Sequence, residues 1–212
     1  MTSPGAGLSA ERIAQAIEDA GLSPLASGVA EEFARYYTLL EQWNSKLNLT
    51  AIRDPEEGLR RHFVECIFCA QHLPPTIMTL LDYGSGAGFP GIPIMLCRPE
   101  IHVTLAESQG KKSSFLREAV RSLGVRAEVY AGRVEEMAVS RKFDAVSLRA
   151  VDKMQAAVES AAERVKPGGC LVLLATAGTV EVPAGFSASI LAVPDSQSGQ
   201  LILASKAKAD LD

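Results

Sequence analysis

Beyond Pro74-Pro75 the chain breaks into short apolar runs, Met78 to Tyr83, Ile101 to Glu107, Ala127 to Ala131, Phe143 to Arg149 and Cys170 to Ala175. Between them lie stretches compatible with helix at Ile92 to Cys97, Lys112 to Leu123 and Val151 to Val165. Runs this short, alternating with helices, predict an α/β fold with a mainly parallel sheet covered on both faces. The last two runs, Ser187 to Val193 and Leu201 to Ser205, are joined by Pro194 to Gly199 with no room for a helix, so an antiparallel pair is expected there. From Leu8 to about Leu73 the pattern is helical: Ser9 caps a first helix and Phe33, Tyr36, Tyr37, Leu40 and Trp43 recur at helical spacing in a second. A third starts at Asp54-Pro55-Glu56, with proline in its first turn. We therefore expect residues 1–73 to form a helical extension or cap and residues 74–212 to carry the sheet.

A chain of 212 residues with 47% hydrophobic content can bury a sizeable core. No run approaches the roughly 18 apolar residues needed to span a bilayer, and the amino terminus lacks a basic start followed by an apolar stretch. A soluble, cytoplasmic protein is expected. The net charge of −4 provides no global field to attract nucleic acid, although basic residues cluster at Arg60-Arg61-His62 and at Lys111-Lys112. Cys66 and Cys69, flanked by His62 and His72, look like a metal-ligand set. On a helix, however, His62 and His72 would stand roughly 15 Å apart along the axis, too far for one tetrahedral shell. No metal site is expected, and all four cysteines read as reduced.

The stretch Asp82-Tyr83-Gly84-Ser85-Gly86-Ala87-Gly88-Phe89-Pro90-Gly91 follows the first strand. It reads as an acid, a spacer and G-x-G-x-G from Gly84, or as G-x-G-x-x-G from Gly86. Both place a glycine turn at the carboxyl edge of the sheet, where doubly wound folds bind ligands. Asp82 separates the two readings if it lies near the ligand. A pyrophosphate about 6 Å away would be repelled by roughly 2 to 3 kcal/mol, whereas S-adenosylmethionine carries a sulfonium and an ammonium. Glu107, ending the second strand, is placed to accept hydrogen bonds from both ribose hydroxyls of either cofactor. The turn Lys166-Pro167-Gly168-Gly169 before an apolar strand, followed by an antiparallel pair, matches the seven-stranded methyltransferase sheet with its last strand antiparallel. S-adenosyl-L-methionine is the expected cofactor, held by Asp82, Gly84, Gly86, Gly88 and Glu107.

Several strings go further. Trp43-Asn44, Asn48 to Pro55, Arg61-His62-Phe63, Gly84 to Pro93, Glu107-Ser108 with Lys111-Lys112, Arg133 to Glu136 and Ser147 to Ala150 resemble the bacterial small-subunit (16S) ribosomal RNA guanine-N7 methyltransferases, also called glucose-inhibited division protein B. The resemblance covers roughly residues 36 to 175 and implies a class I, Rossmann-like methyltransferase acting on small-subunit ribosomal RNA or a 30S-type subunit or assembly intermediate. It also implies cofactor contacts at Gly84, Phe89, Val134, Glu135 and Arg149. Three positions depart from the family pattern: Thr176 follows the fifth strand where a lysine is usual, Glu65 stands where aspartate is common, and Cys66 replaces a small hydroxyl. Arg149, Arg61 and Lys112 are left to supply the missing charge.

Guanine N7 carries a lone pair and no proton, so its methylation calls for positioning rather than a general base. Arg149 is expected to orient the guanine or the cofactor. Duplex RNA is poorly read through its grooves, so the base must come from a loop or a partly assembled particle, with Arg53, Arg60, Arg61, Lys111 and Lys112 as candidate RNA contacts. A small-molecule or protein methyltransferase, a catalytically weakened cofactor-binding assembly protein and a dinucleotide oxidoreductase are the competing readings. A monomer is expected.

Overall fold

The computed structural model describes residues 7–47, 49 and 54–208. Seven strands form one sheet in the order β3-β2-β1-β4-β5-β7-β6. They are β1 Thr79–Tyr83, β2 His102–Ala106, β3 Ala127–Tyr130, β4 Phe143–Arg149, β5 Val165–Thr176, β6 Phe186–Ala192 and β7 Gly199–Lys206. β1 to β5 pair in parallel, whereas β7 runs antiparallel between β5 and β6. The pairing expected for the last two runs is found, and the Lys166 to Gly169 turn is drawn into β5, which starts earlier than its apolar run.

Period-two alternation divides the strands between two buried layers. Leu80, Val103, Leu105, Ala145, Cys170 and Val172 face a layer shared with the amino-terminal helices. Leu81, Ala106, Val146, Leu148, Leu171 and Leu173 face the opposite layer, covered by α7 (Met154–Ala162). On the first side lie α1 (Ala10–Asp19), α2 (Val29–Leu47), α5 (Gly91–Cys97) and α6 (Gly110–Leu123). Ile13, Ile17, Phe33, Tyr36 and Phe63 are fully buried there, in one cluster with the strand residues. The helices of the extension thus share a core with the sheet.

Local chemistry explains where these helices start. Ser9 accepts from the Arg12 amide at 3.2 Å, and Asp54 accepts from the Glu56 and Glu57 amides, each supplying an acceptor that the first helical turn lacks. The helix begun at Pro55 is not regular. α3 (Pro55–Gly58) passes into a π-helical turn, Leu59–Val64, before α4 (Glu65–His72). Such widened turns occur frequently at functional sites. α7 starts later than the sequence pattern suggests, because Ala150 and Lys153 both take left-handed backbone conformations, with φ of 50° and 53°.

Candidate functional site

The glycine-rich loop is held from beneath by Asp82. Its carboxylate accepts from Ser147 Oγ of β4 at 2.8 Å and from the Gly91 amide at 3.3 Å, while its carbonyl accepts from Ser85 Oγ. One residue therefore ties together the two ends of the loop and the neighbouring strand. The side chain is only 1% exposed and does not line the adjoining cavity, so the expected ligand contact is corrected. The reason is strand alternation: Asp82 points to the same side as Leu80, into the protein. Burial pushes its carboxyl up to about 6, against the pull of Ser147, Ser85, Gly91 and Arg149.

Gly88 is likewise absent from the cavity wall. With φ at +95°, a Cβ there would meet Ile92 Cδ1 at 2.5 Å and Tyr36 Oη at 3.0 Å, so packing against the helices requires glycine. The Tyr36 hydroxyl itself donates to the Ala87 carbonyl.

Four strand-end segments surround a cavity of about 580 Å³. Gly84, Gly86 and Phe89 line it after β1, Glu107 after β2, Val134 and Glu135 after β3, and Arg149 at the end of β4. The Glu107 carboxylate accepts from the Gly86 amide at 3.0 Å and the Gln109 amide at 2.7 Å. Each of its oxygens keeps a further lone pair, the acceptor set that a vicinal diol needs. Tyr83 donates to Glu135 at 2.6 Å, which holds that carboxyl below its usual range. A glycine-floored cavity of nucleoside size with a fixed carboxylate fits S-adenosylmethionine.

Sequence reasoning missed Arg164. The residue is 4% exposed and its guanidinium donates to the carbonyls of Val134, Met137 and Ala138, fixing the segment that presents Val134 and Glu135. An arginine preceding a strand carries no motif that would have singled it out.

A second cavity, about 750 Å³, adjoins the first and shares Arg149, Ala150 and Val151 with it. Arg60, Arg61 and Glu65 form part of its wall, with Thr176 and the Pro194 to Gly199 loop. Arg149 stands where the cavities meet. Its Nη2 donates to the Arg61 carbonyl at 2.7 Å, to His62 Nδ1 at 3.2 Å and to Glu65 Oε2 at 3.4 Å, and its guanidinium lies 5.7 Å from the centre of the Phe89 ring. The His62 ring stacks on Phe89 at 4.5 Å. Burial, with Arg149 and Arg61 nearby, pushes His62 down to about 3, so at neutral pH it is uncharged and accepts through Nδ1.

The expected basic residues separate. Arg60 and Arg61 are exposed at the larger cavity, Lys112 lines the smaller one, and Lys111 is exposed and lines neither. Arg53 lies outside the described residues.

Solved structures with this architecture include an O-methyltransferase from Klebsiella pneumoniae (TM-score 0.63, 15% identity, 92% of this chain and 95% of that one). Another is the Bacillus cereus O-methyltransferase in complex with SAH (TM-score 0.59, 18% identity, 92% and 96%). Strand order, glycine loop and strand-end cavity define a class I S-adenosylmethionine-dependent methyltransferase. The family model GidB, rRNA small subunit methyltransferase G, matches residues 29–181, and the chain belongs to that family. Relatives named ribosomal RNA small subunit methyltransferase G include one from Stenotrophomonas maltophilia, 39% identical over 76% of this chain and 78% of that protein. One from Roseiflexus castenholzii is 41% identical over 66% and 62%.

Proposed function

We propose that the protein methylates N7 of a guanine in small-subunit (16S) ribosomal RNA, acting in the cytoplasm as a monomer on the RNA or on a 30S-type subunit or assembly intermediate. The observation that supports this most is Arg149, which lines both a cavity suited to S-adenosylmethionine and a second one rimmed by exposed arginines. In this reading residues 74–212 carry the cofactor and residues 1–73 form a helical cap on the RNA side. Gly84 and Gly86 admit the cofactor to the loop, Glu107 binds its ribose, Val134 and Glu135 flank its adenine and Phe89 lies beside its reacting end. Asp82 and Gly88 shape the loop without touching the ligand. Arg60, Arg61 and Lys112 meet phosphates.

Bound S-adenosylmethionine supplies an electrophilic methyl group. The chain contributes position and field, and the Glu65 carboxylate beside Arg149 is engaged by its guanidinium. His62 is neutral with Nδ1 engaged, and burial pushes the Cys66 thiol far above its usual range, so no thiolate is available. Guanine N7 needs no acid or base.

Incubating the protein and labelled S-adenosylmethionine with undermethylated small subunits, deproteinised RNA and RNA-free extract tests the proposal. Label is expected in the ribosomal RNA, at a guanine that borohydride and aniline treatment cleaves. Label confined to protein or small molecules would refute it.

A further inference from the structure

All three protein contacts of the Arg149 guanidinium fall on one nitrogen, Nη2. None of the described residues accepts from Nε or Nη1, so those donors are left to a ligand. Among the three partners, the Arg61 carbonyl and His62 are uncharged; Glu65 is the one acid, its carboxyl raised by burial against the pull of Arg149 and Arg61. The Arg149 and Glu65 side chains are 13% and 17% exposed, and both line the larger cavity.

Methyl transfer raises an electrostatic difficulty at this point. When guanine N7 donates its lone pair to the methyl carbon, the carbon–sulfur pair leaves with sulfur, no proton moves, and one positive charge passes to the purine. A bare guanidinium about 6 Å from that ring and about 9 Å from the sulfonium opposes the transfer by the difference between the two repulsions, about 1 kcal/mol at an effective dielectric near 20, or roughly fivefold in rate. A carboxylate on the guanidinium offsets this while leaving its hydrogen-bond donors in place.

We infer that Glu65 is a positioning and charge-balancing residue for methyl transfer, anchoring the Nη2 edge of Arg149, leaving its other donors free for the guanine O6, and offsetting the guanidinium beside a purine that becomes cationic. The inference rests on the proposed function. It also gives a role to the acid that stands here as glutamate.

The test uses the full chain, undermethylated small subunits and single-turnover kinetics, with calorimetry for S-adenosylmethionine binding. Glu65→Gln is expected to slow methyl transfer about 5- to 10-fold, while cofactor affinity, subunit affinity and melting temperature stay close to wild type and Glu65→Asp restores most of the rate. In an Arg149→Gln background, where there is no charge left to balance, Glu65→Gln should change the rate by no more than about twofold. An unchanged rate in Glu65→Gln, a loss expressed in either affinity or in melting temperature, or an equal loss in the Arg149→Gln background would overturn the inference alone. No turnover by the wild-type protein on any ribosomal RNA substrate would overturn both the inference and the proposed function.

Discussion

Asp82 shows how a correct reading of a motif can misplace one of its members. The acid before a glycine loop is visible in the sequence; which way a strand-end side chain faces depends on the register of the whole strand. Its carboxylate holds Ser147 and Gly91 instead of facing a ligand. Burial raises its carboxyl from 3.8 to about 6, so the folded protein binds a proton that the unfolded chain releases. The stability from this protonation is full below about pH 4 and lost as pH rises through about 6. Relative to Asp82→Asn, the wild type should therefore lose about 3 kcal/mol between these limits. Urea denaturation of both proteins at pH 4 and 7.5 measures this, and parallel behaviour would contradict the assigned burial cost. Glu107, by contrast, was legible as a cavity residue, because it follows the last buried position of β2 and can turn toward the strand ends.

Among the elements, β4 covers the expected run Phe143 to Arg149, since an apolar strand buried on both faces leaves little doubt about its limits. The helix begun at Pro55 was legible at its start, through Asp54, but not in its widened turn, which has no residue signature. The late start of α7 was hidden for a similar reason: left-handed alanine and lysine cannot be foreseen as left-handed glycine can. The first turn of α5 packs more tightly than its length suggests. A Cβ on Gly91 would lie 2.5 Å from Leu105 Cδ2 and 2.7 Å from Asp82 Oδ2. Gly91→Ala is expected to cost about 1 to 3 kcal/mol, read as a lower urea midpoint, with cofactor affinity reduced because the same latch shapes the loop. A variant as stable as wild type would mean that α5 can shift without strain.

At the scale of the molecule, a net charge of −4 and an RNA substrate are compatible because the cations are local. With Thr176 in the wall of the larger cavity, Arg60 and Arg61 are its exposed positive groups. If both meet phosphates, the Arg60→Ala/Arg61→Ala variant should lower the slope of log affinity against log salt by about 1 to 2. An unchanged slope in filter binding would remove them from the interface. No helix among the described residues is long and apolar enough to cross a membrane. Helical periodicity before Pro74 was visible in the sequence, but the core that these helices share with the sheet was not, because contacts between distant segments leave no local pattern. Within that core the Tyr36 hydroxyl of α2 donates to Ala87 in the cofactor loop. A ligand that binds only the ordered loop at 100 times its dissociation constant adds about 2.7 kcal/mol to the folded state, and through Tyr36 part of that gain should reach α2. Hydrogen exchange should therefore slow in α2 on addition of S-adenosylmethionine, and less so in Tyr36→Phe. Supply of the methyl donor would then govern how long α2 stays folded, and with it how much of the protein escapes proteolysis.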